Sequence, residues 1–101
     1  MADEIPIVCS LTNEELRDRE ATLLAQFKTA VTATEELADG FCFHLPGDKK
    51  WFAVVADLVL AERECCPFLR FQLAAEPKMG PLILTVTGPA GAKEFLKTIL
   101  F

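Results

Sequence analysis

Hydrophobic residues recur along this chain at two spacings, which divide it into eight predicted elements. Spacings of three and four residues, typical of amphipathic helices, occur in a segment that starts near Thr12, in residues 49–66 and in the segment after Gly91. Five shorter segments are rich in β-branched residues or alternate with a period of two, which predicts strands. They are residues 5–11, 31–37, 41–45, 68–75 and 81–87.

Capping and turn residues indicate where these elements begin and end. Residues 12–15 have the capping-box pattern, a hydroxyl followed three positions later by a carboxylate, so a helix is expected to begin there. Asp39-Gly40 is a hairpin signal because both residues tolerate positive φ. Asp48 precedes the central helix as a possible cap, and Pro67 is expected to end that helix.

The resulting order, β-α-β-β-α-β-β-α, predicts a single α+β domain covering residues 1–101. Its expected form is a two-layer structure with helices on one face of a mainly antiparallel sheet. A ferredoxin-like core with an added hairpin and a terminal helix is the first topology that this order suggests.

Composition and charge narrow the possible partners. The hydrophobic fraction is 51%, which is high for a small monomer, and it favours a homodimer or a lipophilic pocket. The net charge is −5 and the sequence contains no cluster of Lys and Arg, so nucleic-acid binding is not expected.

The sequence shows no feature of a signal peptide or membrane span, so we expect a cytoplasmic location. The first residues are acidic, and Asp57 interrupts the longest apolar stretch, which is too short to cross a bilayer. In the cytoplasm the four cysteines are more often buried thiols, metal ligands or redox groups than structural disulfides.

A carboxylate and two thiols on the apolar side of the central helix form the main candidate site. At about 100° per residue, Glu62 shares an arc with Val55 and Leu58, and Cys65 and Cys66 lie on either side of it. An unpaired carboxylate among apolar side chains is costly unless its pKa shifts or a cation lies beside it. Two sulfurs and one oxygen also suit a thiophilic metal.

Adjacent cysteines point in different directions on a helix, so both can bind one ion only if the last helical turn loosens before Pro67. Cys9 supplies a third sulfur if the first strand runs beside the end of this helix. Alternatively, the three cysteines are small buried hydrophobes and Glu62 forms a salt bridge with Arg70 or with an arginine of the first helix. A thiol redox role is a further alternative, although a helix C-terminus disfavours thiolates.

Other groups carry weaker signals. Cys42 and His44 lie on one strand face and could chelate a metal, but such a pair is more often plain sheet surface. Glu20 projects onto the inner side of the first helix and could meet Glu62, although pairing with nearby basic residues is the simpler expectation. His44 is the single histidine and no catalytic triad is recognisable, so the sequence does not decide whether the protein is an enzyme.

The segment Glu62-Arg63-Glu64-Cys65-Cys66-Pro67-Phe68-Leu69-Arg70-Phe71, with residues 87–89 and 93–96 downstream, resembles a group of short uncharacterised bacterial proteins. The resemblance covers most of the chain and implies no activity and no site residues. The vicinal cysteine pair is also similar to that of mercury-handling transport proteins, which are membrane-embedded. That second resemblance is confined to two residues.

These observations lead to one main functional prediction. We expect a small cytoplasmic protein that binds a thiophilic metal or metalloid ion, namely zinc, copper(I), mercury(II) or arsenite, for sequestration or sensing. Its predicted ligands are Cys65 and Cys66, with Cys9 and Glu62 as further ligands. The alternatives are a thiol redox module or enzyme that uses Cys65 and Cys66, and an interaction or small-ligand domain with inert cysteines.

Overall fold

The structure, a computed structural model, describes residues 14–100 except for the side chain of Leu16. It contains three helices, α1 (Glu14–Ala30), α2 (Lys49–Cys65) and α3 (Ala92–Leu100). It also contains four strands, β1 (Ala33–Leu37), β2 (Gly40–Leu45), β3 (Arg70–Ala75) and β4 (Leu82–Thr87). The strand predicted at residues 5–11, the predicted cap at Thr12 and the candidate ligand Cys9 lie outside the described residues.

The four strands form one antiparallel sheet in the order β1-β2-β4-β3. This arrangement confirms the α+β class. The strand order differs from that of the suggested ferredoxin-like core, in which β2 would pair with β1 and with the first strand of the chain. Here β4 takes the second place beside β2, because both strands carry a continuous apolar row and their pairing places these rows side by side in the core.

One face of the sheet is buried beneath the helices. The apolar rows of β2 and β4 pack against Phe27 from α1, Val55 and Leu58 from α2, and Leu96 from α3 in a single core cluster. Phe27 and Phe43 meet edge to face, with ring centroids 5.3 Å apart. The sheet residues of this cluster are Phe41, Phe43, Leu45, Leu82, Leu84 and Val86.

The ends of α2 are close to those that the sequence predicts. Asp48 is the N-cap residue and has an extended backbone, but its side chain makes no capping hydrogen bond. At the other end Cys66 has φ −125° and ψ 72°, outside the helical region. Pro67 follows, and a residue before proline is disfavoured in helical geometry. This end of α2 holds the candidate site.

The hairpin between β1 and β2 depends on Gly40 for a different reason from the one expected. Neither Asp39 nor Gly40 has a positive φ. A Cβ atom on Gly40 would instead lie 1.9 Å from the carbonyl oxygen of Val86, so the glycine is needed for the close approach of β4. The turn between β3 and β4 is the one with positive φ, at Lys78 and Met79.

No described helix is both long and apolar enough to cross a membrane.

Candidate metal centre

Glu62 lies in the interior, on the side of α2 that faces the core. It is 3% exposed, and the other buried residues of α2 are Val55, Leu58 and Cys65. These positions repeat at helical spacing, so the predicted arc is confirmed. A carboxyl group is rarely buried to this extent without a charged partner.

The last turn of α2 loosens as the proline suggests, and this brings both cysteines to the site. Cys66 leaves helical geometry while its backbone N–H still donates to the carbonyl oxygen of Glu62 at 2.6 Å. The Cys66 thiol donates to Glu62 Oε1 at 3.5 Å. The different directions of adjacent side chains on a helix therefore no longer prevent Cys65 and Cys66 from binding one ion.

Glu20 of α1 completes a cluster of four potential ligands. One side-chain atom each from Glu20, Glu62, Cys65 and Cys66 lies within 4.8 Å of all the others. Glu20 is half-buried and the other three are buried. The cluster forms because α1 and α2 pack extensively against each other on the same sheet face.

The two acids and the thiol make this cluster a place where negative charge is disfavoured. Burial, and then the neighbouring Glu20, raises the pKa of Glu62 from its usual value of 4.5 to about 9. Burial, and then the neighbouring Glu62, also raises the pKa of the Cys66 thiol. At neutral pH Glu62 is therefore a neutral acid and Cys66 is a thiol.

Among the described residues no salt bridge between a guanidinium group and Glu62 is seen. No donor group among the described residues binds its buried Oε2 atom, and the protonated Glu62 instead shares a side-chain hydrogen bond with Glu20. Arg70 is exposed on β3, and Arg19 of α1 lies 3.8 Å from Asp57 instead. The alternative in which Glu62 is held by a salt bridge therefore has no support in the described contacts.

A small apolar cavity adjoins Glu62. Its volume is about 20 Å³, and Glu62 is the one polar residue among the described residues that line it. A space of this size is comparable to that occupied by one water molecule. The carboxyl group thus borders a site that excludes larger molecules.

The sulfur side of the cluster is apolar. Cys65 and Cys66 pack with Phe68 and Ala92 in a second buried group, supported by Phe95. The rings of Phe68 and Phe95 meet edge to face at 5.2 Å. This packing connects the end of α2 to the start of α3 and shields both sulfurs from solvent.

The cysteines differ in oxidation state. Cys65 is disulfide-bonded, whereas Cys42 and Cys66 are free thiols. The disulfide differs from the expectation of reduced cysteines. A disulfide sulfur is a much weaker metal ligand than a thiolate, so the complete ligand set exists in the reduced protein.

Once Cys65 is reduced, the cluster offers two sulfurs and two carboxylate oxygens to one ion. Tetrahedral zinc with bonds of about 2.0–2.3 Å holds its ligand atoms about 3.3–3.8 Å apart. The described separations therefore need only small side-chain movements to reach this geometry. Because burial keeps Glu62 and Cys66 protonated without an ion, a bound cation would release protons from them and compensate the charges left behind.

The sequence predicted Cys65, Cys66 and Glu62 at this site but favoured a surface ion pair for Glu20. The available signal was the inward projection of Glu20 on its own helix. Whether that position meets Glu62 depends on how α1 and α2 align, which one helical pattern alone does not determine.

The sequence matches no protein-family model, and neither a curated protein nor a solved structure is significantly similar to it.

Proposed function

We propose that this protein binds a thiophilic metal or metalloid ion at the cluster of Glu20, Glu62, Cys65 and Cys66. The observation that carries the proposal is the convergence of four potential ligand atoms within 4.8 Å in a buried site. The burial of Glu62 beside a second acid, Glu20, adds to it, because a bound cation would stabilise two neighbouring carboxylates that otherwise disfavour each other's charge.

The donor set favours some ions over others. Two sulfurs with two carboxylates suit zinc, whereas copper(I) and mercury(II) need mainly the sulfurs. Arsenite also binds paired thiols. On this donor set we therefore propose zinc first among the four candidates, with Cys65 and Cys66 common to all of them.

Burial of the ligands favours sequestration or sensing over catalysis. Catalytic zinc sites keep an open position for water or substrate. Here Glu62 is 3% exposed, Cys66 is fully buried and the adjoining cavity is smaller than a substrate. An ion at this site would be held by α1 and α2 together, so its binding would stabilise the contact between the two helices.

The test is a titration of anaerobically reduced protein with zinc, copper(I), mercury(II) and arsenite in turn. We expect an equivalent bound at this cluster that is lost in Cys65→Ser and in Cys66→Ser and that is kept in the matched variant Cys42→Ser. Circular dichroism of each variant separates loss of binding from loss of folding. Unchanged stoichiometry in folded Cys65→Ser and Cys66→Ser would disprove the proposal.

The carboxylates allow a second test that leaves the thiols intact. Glu62→Gln removes a ligand that must lose its proton on binding. We therefore expect weaker zinc binding and fewer protons released per ion, measured by calorimetry in two buffers of different ionisation enthalpy. Glu94→Gln, which changes an exposed acid on α3, is the matched control. Equal proton release in Glu62→Gln and wild type would exclude Glu62 as a ligand.

The disulfide at Cys65 makes this site dependent on reduction. We propose a cytoplasmic location, in which glutathione and thioredoxin systems keep thiols reduced. Protein prepared without a reductant should bind less of the ion than reduced protein, because one sulfur is missing from the set.

The same disulfide favours a second candidate function, a thiol redox module. Cys65 is oxidised in the structure and lies beside the free thiol of Cys66. Against it, the pKa of Cys66 is raised, so little nucleophilic thiolate forms. A redox module requires rapid alkylation of Cys65 or Cys66 in the reduced native protein. The metal proposal expects slow alkylation of Cys66 and faster alkylation of the partly exposed Cys42.

A further inference from the structure

The face of the sheet opposite the helices carries a second group of potential ligands. Cys42 and His44 are two positions apart on β2 and therefore point to this face, away from the buried row of Phe41, Phe43 and Leu45. Glu35 of β1 is the register partner of Cys42. No described helix packs on this face.

The three side chains are already in contact range. His44 Nε2 lies 2.7 Å from Glu35 Oε2. The hydroxyl of Thr85 on β4 donates to the Cys42 sulfur at 3.6 Å. One ligand atom each from Glu35, Cys42 and His44 lies within 4.8 Å of the other two.

We propose that Glu35, Cys42 and His44 form a second, open site for a divalent transition-metal cation, with zinc as the ion that best fits the donor set. Imidazole, thiolate and carboxylate are the three ligand types that zinc takes in proteins. Three protein ligands leave a fourth tetrahedral position. Because Glu35 is 63% and His44 28% exposed, that position faces solvent and can hold water or an external ligand.

The positions of the ligands favour binding over a plain ion pair. β2 is paired on both sides, with β1 and β4, so the Cα atoms of Cys42 and His44 are held in place. A zinc ion would replace the proton shared by His44 and Glu35 and bring Cys42, which makes no contact with that proton, into the same coordination shell. The Thr85 hydroxyl would continue to donate to the sulfur and orient it, as groups beside metal ligands commonly do.

This site is independent of the buried centre. It uses none of its residues and lies on the opposite side of the sheet. It also needs no reduction of Cys65, since Cys42 is a free thiol in the structure. If one of the two sites proves not to bind metal, the proposal for the other site is therefore unaffected.

His44 provides a direct test because it is the single histidine of the chain. Isotope-labelled protein, prepared without reductant, is titrated with zinc while the imidazole nitrogen resonances are recorded. We expect one ring nitrogen to shift to a metal-bound position at one equivalent. Unchanged imidazole resonances in the presence of excess zinc would overturn the proposal.

Affinity measurements on surface variants complete the test. Cys42→Ser and His44→Gln should each weaken zinc binding at this site at least tenfold, measured by competition with a chromophoric chelator. Gln72→Ala, on an exposed position of β3, is the control and should bind as wild type. Cys66→Ser, which changes only the buried cluster, should still bind one equivalent of zinc at this surface site. Wild-type affinity in Cys42→Ser would reduce the arrangement to an ion pair between Glu35 and His44.

Discussion

Glu62 is a buried acid that is kept uncharged instead of being paired with a base. Its burial and the nearby Glu20 both disfavour the carboxylate, so the proton is retained to about pH 9. A structural role would be filled more simply by glutamine or leucine at this position. A protonated carboxyl group can lose its proton when a cation binds and then neutralise part of the cation's charge. For this reason we connect the raised pKa of Glu62 with metal binding.

The raised pKa of Glu62 predicts how stability depends on pH. Between its unfolded value of 4.5 and its folded value of about 9, the folded protein binds the proton that the unfolded chain has lost. The contribution of Glu62 to stability is therefore fully present below about pH 4.5 and declines as the pH rises through this window. For a single proton the slope is at most about 1.4 kcal/mol per pH unit.

We predict that Glu62→Gln removes the decline in stability that Glu62 causes as the pH rises. Glutamine has the shape of the protonated acid but no charge to bury, so the variant should be more stable than wild type at pH 8 and closer to it at pH 5. Urea unfolding of the ion-free protein at several pH values measures this difference. The control Glu94→Gln changes an exposed acid on α3, away from the cluster, and should leave the pH dependence unaltered. A parallel pH dependence of Glu62→Gln and wild type would show that Glu62 is ionised in the fold.

Individual residues of the site could be predicted where one helix was enough to define them. Glu62 and the two cysteines share one amphipathic pattern, and Pro67 signals the change of backbone at Cys66. Glu20 could not be assigned, because its role arises from packing between two helices. The disulfide state of Cys65 is likewise a matter of three-dimensional proximity, which cysteine spacing does not reveal.

Strand β2 organises the sheet, because it pairs with both β1 and β4 and carries the central apolar row. Its first residue, Gly40, passes so close to β4 that a Cβ atom would overlap the carbonyl oxygen of Val86. Backbone cannot move aside as the end of a flexible side chain can. The fit of β2 against β4 therefore depends on the absence of a side chain at this position.

We predict that Gly40→Ala destabilises the protein by about 2 kcal/mol or more, since overpacking against backbone forces the strands apart. Urea unfolding at a fixed pH measures the effect. Gly80→Ala is the control, because its nearest neighbours would lie at 3.0 Å, a contact that requires a much smaller shift than 1.9 Å does. Similar stability of Gly40→Ala and wild type would mean that the contact between Gly40 and Val86 is looser in solution.

The elements themselves were largely predictable, whereas their arrangement was only partly so. Helix α2 was predicted within one residue because a possible cap and a proline delimit it. A local hydrophobic pattern does not determine the order of strands in a sheet. β2 has two edges, and several strands with alternating apolar residues could have paired with either edge. The place of β4 beside β2 follows from matching two apolar rows across the sheet, which requires the folded protein.

At the scale of the whole molecule, the described residues include exposed apolar side chains at one end. Phe52 on α2 is 45% exposed, and Met79 in the turn between β3 and β4 is 78% exposed. Both line a surface pocket of about 380 Å³ whose other residues include Ala53, Ala75 and Leu82. Exposed apolar residues grouped around a pocket are typical of a protein interface.

We propose that this end of the protein joins two copies of the chain, in agreement with the high hydrophobic fraction of the sequence. The expected mass in solution is twice the 11.1 kDa of one chain, measured by light scattering over a range of concentrations. Phe52→Glu should shift the equilibrium to monomer, because a carboxylate at the centre of an apolar contact is costly to desolvate. Gln72→Glu adds the same charge to the opposite face of the sheet and should leave the dimer intact. A wild-type mass of one chain at high concentration would refute the dimer, and an unchanged dimer in Phe52→Glu would place its interface elsewhere.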